Sequence, residues 1–175
     1  MFVCVPRNWG DIVSPRRGVS VSSEYSTVSV REALRNGELL FLIGADALSQ
    51  TNGWLFATDH LALFGTGTLA GPNSDETGPR FPNLRGMYVV PELPGKSIQA
   101  GIVMMVPDIN FCTGAELKAF PCDALVSCGL DLAIAAAHGG GRVIFALNCR
   151  TPGSSENSSY SFLSAMIQEI EGGEE

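Results

Sequence analysis

Three groups of residues in this chain are of types that could do chemistry. The first, Gly65-Thr66-Gly67-Thr68-Leu69-Ala70, fits the glycine-rich GxGxxA pattern of dinucleotide sites. Such a loop holds a pyrophosphate only where a helix starts on it and turns free amides toward the anion. Here Gly71-Pro72-Asn73 follows, with Pro79 and Pro82 beyond, so no helix begins and the run reads as a flexible turn. The second group is Asp59-His60, an adjacent acid and base. Neighbours on a strand face opposite ways, so these two cannot act on one substrate atom; His60 is expected to be structural and bonded to backbone. The third is the set of five cysteines, Cys4, Cys112, Cys122, Cys128 and Cys149. Their number is odd, no CxxC occurs, and neither His60 nor His138 stands near a second ligand at metal-site spacing. Buried, reduced thiols and no zinc are the expectation. No GxSxG nucleophile elbow occurs.

Composition narrows the partners. With 11 basic against 18 acidic residues the net charge is -7, and the densest basic spot is Arg16-Arg17, so nothing points to nucleic acid. Charged residues make up only 17% of the chain, which fits a well-buried fold or a surface partly covered by partners. The strongly apolar stretch from Leu130 to Leu147 is broken by Asp131, Gly139-Gly140-Gly141 and Arg142, so it does not read as a membrane span. Arg7, Arg16, Arg17 and several serines near the start faintly resemble an organellar transit peptide, against which stand Asp11 and two prolines. Compartment stays open between cytoplasm and mitochondrion.

The elements that must position any site follow from periodicity. A length of 175 residues suits one domain with a sizeable core. Residues 1–27 read as a strand and loop segment, and 28–175 as the domain. A helix is expected from about Ser29 to Arg35 with Gly37 as its stop. Leu39 to Leu48 is apolar, Thr51-Asn52-Gly53 is a turn, and Trp54 to Phe64 alternates as a strand. Gly65 to Pro94 shows no periodicity, and a loop of that length is usually functional or an interface element. After it come a buried strand from Gly101 to Val106 and a short helix from Thr113 to Phe120. That helix has Thr113 and Glu116 at capping-box spacing. A strand from Asp123 to Cys128, a helix from Leu130 to His138 stopped by glycines, and a strand from Arg142 to Cys149 complete the run. The last helix begins near Asn157-Ser158-Ser159 and carries Phe162, Leu163, Met166, Ile167 and Ile170 on one stripe. Short apolar strands alternating with helices predict an α/β layer fold around a mixed, mainly parallel sheet.

Thr58-Asp59-His60-Leu61, then Gly71-Pro72-Asn73-Ser74-Asp75-Glu76, then Gly78-Pro79-Arg80-Phe81-Pro82-Asn83, resembles the trimeric purine nucleoside phosphorylase family. That family has a strand ending in a DHI-type sequence, an acid-rich GPN loop and a G-(P/D)-R-F-P run, in this order. The resemblance extends outward. Leu42 to Leu48, with Thr51-Asn52 after it, is similar to the strand entering the family's TNAAGG loop, here shortened. Gly101 to Val106 resembles the strand before AGPSFET, Asp123 to Ser127 the GADAVGMS strand, and Arg142 to Leu147 the strand leading to SLITN. The likeness runs from about residue 28 to 151. The family's glycine-rich phosphate loop and its RFHxYEG histidine have no counterpart here.

The resemblance implies a phosphorylase-like three-layer domain and a purine pocket whose groups have changed. With Phe111 on the phenylalanine of AGPSFET, Cys112 takes the place of the glutamate that grips the base. The base-binding asparagine position falls on Thr151, the pocket methionine on Ser127, and Cys128 replaces a phosphate-contacting serine. Phe111, Asn52 and Phe81 remain, the last in a loop that reaches a neighbouring subunit's site in the family; each also suits a packing or turn-capping role. A thiol cannot accept hydrogen bonds from a purine as a carboxylate does. The expectation is therefore a non-catalytic, phosphorylase-like protein serving as a structural or assembly subunit, as a homotrimer or in a larger particle, without a cofactor. The alternatives are a divergent phosphorylase, with phosphate as co-substrate and Asn148 or Glu116 replacing the lost contacts, and a purine- or nucleoside-binding module.

Overall fold

The computed structural model describes residues 1–6, 9, 20–63, 69, 78–79, 82–93, 98–154 and 161–172. Phe81, Arg80 and most of the glycine-rich run at 65–77 lie outside the described residues. Strands β1 (Phe2–Cys4) and β2 (Ser20–Ser22) precede helix α1 (Thr27–Arg35). Strands β3 (Leu40–Ser49), β4 (Gly53–Leu61) and β5 (Gln99–Met105) follow, then a 3-10 turn, Ile109–Phe111. Helix α2 (Gly114–Ala119), β6 (Ala124–Val126), α3 (Leu130–His138), β7 (Arg142–Arg150) and α4 (Ser161–Gly172) complete the order.

Local chemistry sets the helix ends. Helix α1 starts two residues earlier than periodicity predicts because the Ser26 side chain accepts from the Val28 amide at 3.2 Å and caps it there. Helices α1 and α3 both end on glycines in the left-handed region, Gly37 at φ +86° and Gly140 at φ +86°. In each, two amides bond back to carbonyls of the last turn: Gly37 to Leu34 and Glu38 to Ala33, then Gly140 to Ala137 and Gly141 to Ala136. The Thr113–Glu116 capping box is present at the start of α2.

The sheet is mixed and mainly parallel. The pairings β1–β2, β1–β3, β3–β7, β4–β5 and β5–β6 are parallel, and β3–β6 and β4–β7 antiparallel. Strand β3 decides the shape. One edge pairs with β7 from Leu40 to Leu48; the other is shared by β1 at Phe41–Ile43 and β6 at Ala47–Ser49. Strands β3, β7, β4, β5 and β6 therefore close into a ring, with β1 and β2 as a side extension. Closure leaves each of those five strands paired on both sides over part of its length.

Side-chain alternation sends each strand's two faces into different cores. Phe41, Ile43, Val143, Phe145 and Val126 pack with Val30 and Ala33 of α1 and with Leu132 and Ala136 of α3. Leu42, Ile144 and Phe56 face the other way, onto Leu163, Met166 and Ile167 of α4. This is the three-layer arrangement. Trp54 anchors α4 by stacking on Phe162 at 5.7 Å, with Trp9 edge-on at 5.3 Å. A third cluster, Leu48, Met104, Ile109, Leu117 and Leu125, seats α2 and the 3-10 turn. No helix among the described residues is long and apolar enough to cross a membrane.

Candidate functional site

The polar residues converge where β1, β3, β6 and β7 meet the 3-10 turn. A concavity of about 270 Å³ there is lined by Pro6 after β1, Tyr25 before α1, and Asp46 of β3. Ser127 and Cys128 after β6, Ile109 and Asn110 of the turn, and Arg150 at the end of β7 complete it. Register explains the convergence. Asp46 pairs with Asn148 and Leu48 with Arg150 across β3–β7, while Ala47 opposite Val126 brings Ser127 alongside.

Burial and hydrogen bonds define the surroundings of three of these groups. The Tyr25 hydroxyl donates to the Gly44 carbonyl and interacts with the Cys128 thiol, and burial pushes the phenol far above its ordinary range. Burial likewise lifts Cys128 to about 11; the Tyr25 hydroxyl opposes the rise, and the Asp46 and Asp131 carboxylates add to it. Cys128 is thus a protonated thiol at neutral pH and a poor nucleophile or anion ligand. The Arg150 guanidinium donates to Asn110 Oδ1 at 3.0 Å and to the Ser154 carbonyl at 3.3 Å.

The residues singled out from sequence are distributed unevenly around this space. Ser127 lines it. Thr151 adjoins it in sequence, and its amide donates to Asn52 Oδ1 at 2.8 Å, so Asn52 here caps the turn after β7. Phe111 is 84% exposed and Cys112 half-buried, and neither is part of the lining. The Cys112 thiol donates to the Asp108 carbonyl at 3.5 Å and is raised by burial, then by Glu116 and Asp108. Glu116 Oε2 accepts from the Thr113 amide at 2.7 Å and its hydroxyl at 3.0 Å, which commits that carboxylate to the capping box. Asn148 is fully buried within the sheet. Asp46, Tyr25, Asn110 and Arg150 were not singled out from sequence. Each is a lone polar residue in an apolar or loop context, and only the pairing of distant strands groups them.

Elsewhere, a larger concavity of about 420 Å³ opens where β4, β5 and β6 begin, lined by Ser49, Thr51, Gln99, Cys122 and Asp123 among others. Its groups largely bond one another: Thr51 Oγ1 donates to Gln99 Oε1 at 3.1 Å and Ser49 Oγ to the Asp123 carbonyl at 2.9 Å. His60 Nδ1 lies 3.0 Å from the Tyr88 hydroxyl, so its described side-chain partner is a phenol and not the backbone expected from sequence. Among the described residues no three His, Cys, Asp or Glu side chains group as metal ligands.

Solved structures share this architecture. The Schistosoma mansoni purine nucleoside phosphorylase complexed with a monocyclic inhibitor matches with a TM-score of 0.74 at 17% identity, over 97% of this chain and 88% of that one. The schistosoma enzyme with hypoxanthine gives 0.73 at 16% identity and the same coverage. Isoform 2 from Schistosoma mansoni, with cytosine and ribose-1-phosphate, gives 0.69 at 15%, over 83% of this chain and 74% of that one. No protein-family sequence model matches the chain, and no curated protein sequence matches it. At such identities the likeness lies in backbone architecture, and the chain has the α/β fold of the purine nucleoside phosphorylases.

Proposed function

We propose that this chain is a non-catalytic, purine nucleoside phosphorylase-like protein acting as a structural or assembly subunit, self-associated or seated in a larger particle. One observation carries the reading: Cys112, Asn52 and Glu116, the side chains that the resemblance or its alternative would set against a purine, lie outside the lining of the concavity and are bonded elsewhere. Asn52 is engaged with the Thr151 amide, Glu116 with its own helix cap, and Cys112 with the Asp108 carbonyl. Phosphorolysis must hold an anion against the anomeric carbon while the base leaves. Each missing transition-state contact costs about 3 kcal/mol, so losing two or three leaves turnover near background.

The test is phosphate-dependent release of hypoxanthine from inosine, with Cys112→Glu alongside. No release above the blank by the natural sequence is expected, and turnover above it overturns the reading. The mass of the native particle addresses the assembly half, and a chain that is monomeric in its native setting overturns that half.

A second reading has its own support. Asp46, Ser127 and Arg150 border one space of about 270 Å³, which suits a purine- or nucleoside-binding module or a divergent phosphorylase taking phosphate as co-substrate. A thermal shift with millimolar hypoxanthine or inosine separates it from the first, because a ligand bound to the folded state raises stability by mass action.

A further inference from the structure

Arg150 joins two loops that are far apart in the chain. Its guanidinium bonds Asn110 in the 3-10 turn and the Ser154 carbonyl in the loop after β7. Asn110 is itself held from behind: Asp108 Oδ1 accepts from both the Asn110 amide and Nδ2 at 2.9 Å, which leaves Oδ1 for the arginine. A continuous polar chain therefore runs Asp108, Asn110, Arg150, Ser154. Among the described residues no carboxylate forms a salt bridge with this guanidinium, so its bonds go to neutral acceptors in the two loops. Arginine suits the task because its planar fork spans two acceptors that a single ammonium cannot reach together. Binding-site loops commonly take their closed arrangement when a ligand bridges them. Here a side chain rooted in the sheet supplies the bridge.

We propose that Arg150 is an internal clasp that couples residues 108–112 to residues 151–154 and holds this wall of the concavity in one arrangement without a ligand. It also sets the pose in which the turn presents Phe111 to solvent. The inference stands whether or not the chain turns over a nucleoside, because it rests on contacts within the protein alone.

Hydrogen exchange of the full chain tests it. The reporters are the Phe111 and Cys112 amides, bonded to Asp108 and Ile109, and the Ser154 amide, bonded to Thr151. Arg150→Ala is expected to speed exchange in both segments roughly tenfold, the loss of a charge-assisted hydrogen bond. Asn110→Ala, an exposed substitution that leaves the core intact, is expected to speed exchange at Ser154, 44 positions away, by a similar factor. The double variant should add nothing to either single one. Unchanged exchange at Ser154 in Asn110→Ala, or additive effects in the double variant, overturns the proposal. So does wild-type exchange in both segments of Arg150→Lys, which keeps the charge and loses the fork.

Discussion

Gly101 sits where β5 passes the residue that leads into β6, and substituting it is expected to break a specific contact. A methyl group there would lie 2.4 Å from Asp123 Oδ2 and 2.8 Å from its Cβ, far inside contact distance. Asp123 cannot yield without loss, because its Oδ2 accepts from the Ile102 amide at 2.8 Å and its own amide donates to the Ile102 carbonyl at 2.8 Å. Its carbonyl also receives the Ser49 hydroxyl at 2.9 Å, tying β3 to the same point of the ring. Gly101→Ala therefore displaces a charge-assisted bond in a partly exposed setting, at a cost of about 2 kcal/mol. For a chain of this size that lowers the midpoint of thermal unfolding by roughly 4–8 °C. The decisive measurement is a double-mutant cycle with Asp123→Gly, which removes the Cβ as well as the carboxylate. With the three nearest atoms gone, Gly101→Ala in that background is expected to cost clearly less than in the wild-type chain. Additive losses in the double variant would refute the steric argument.

Two further outcomes follow from the burial of titratable groups. Burial lowers the His60 pKa below its ordinary 6.5, against an upward pull from Asp59. The neutral ring beside Tyr88 thus contributes stability above that value, and the contribution is lost as pH falls through the lowered pKa. The thermal advantage of wild type over His60→Gln should shrink between pH 7.5 and 5; a constant difference would count against the linkage. Burial also pushes Cys4 and Cys149 up to about 12. Both should resist a thiol reagent at pH 8 until the chain is unfolded, while the less buried Cys112 and Cys122 react first; equal rates for all five would show the folded core to be open.

How much was legible in the sequence depended on the range of the interaction involved. Alternation and apolar runs, which are local properties of a segment, located β4, β5, β6 and β7 to within a few residues; for Leu39 to Leu48 they gave only an apolar run, and the resemblance gave the strand. The capping box at Thr113 and Glu116, the glycine stops after α1 and α3, and the apolar stripe from Phe162 to Ile170 were equally local. The resemblance anticipated the three-layer architecture. What tertiary structure alone decided was the closing of five strands into a ring, because nothing in the segment Leu40–Ser49 states that it will serve three partners. That pairing brings Asp46, Ser127 and Arg150 together, and it commits Asn52 to the Thr151 amide, a partner that a linear alignment does not reveal. Hydrogen-bond partners separated by 40 or 99 positions, as in Arg150–Asn110 and Thr151–Asn52, leave no periodic trace, and they determine which side chains stay available for chemistry.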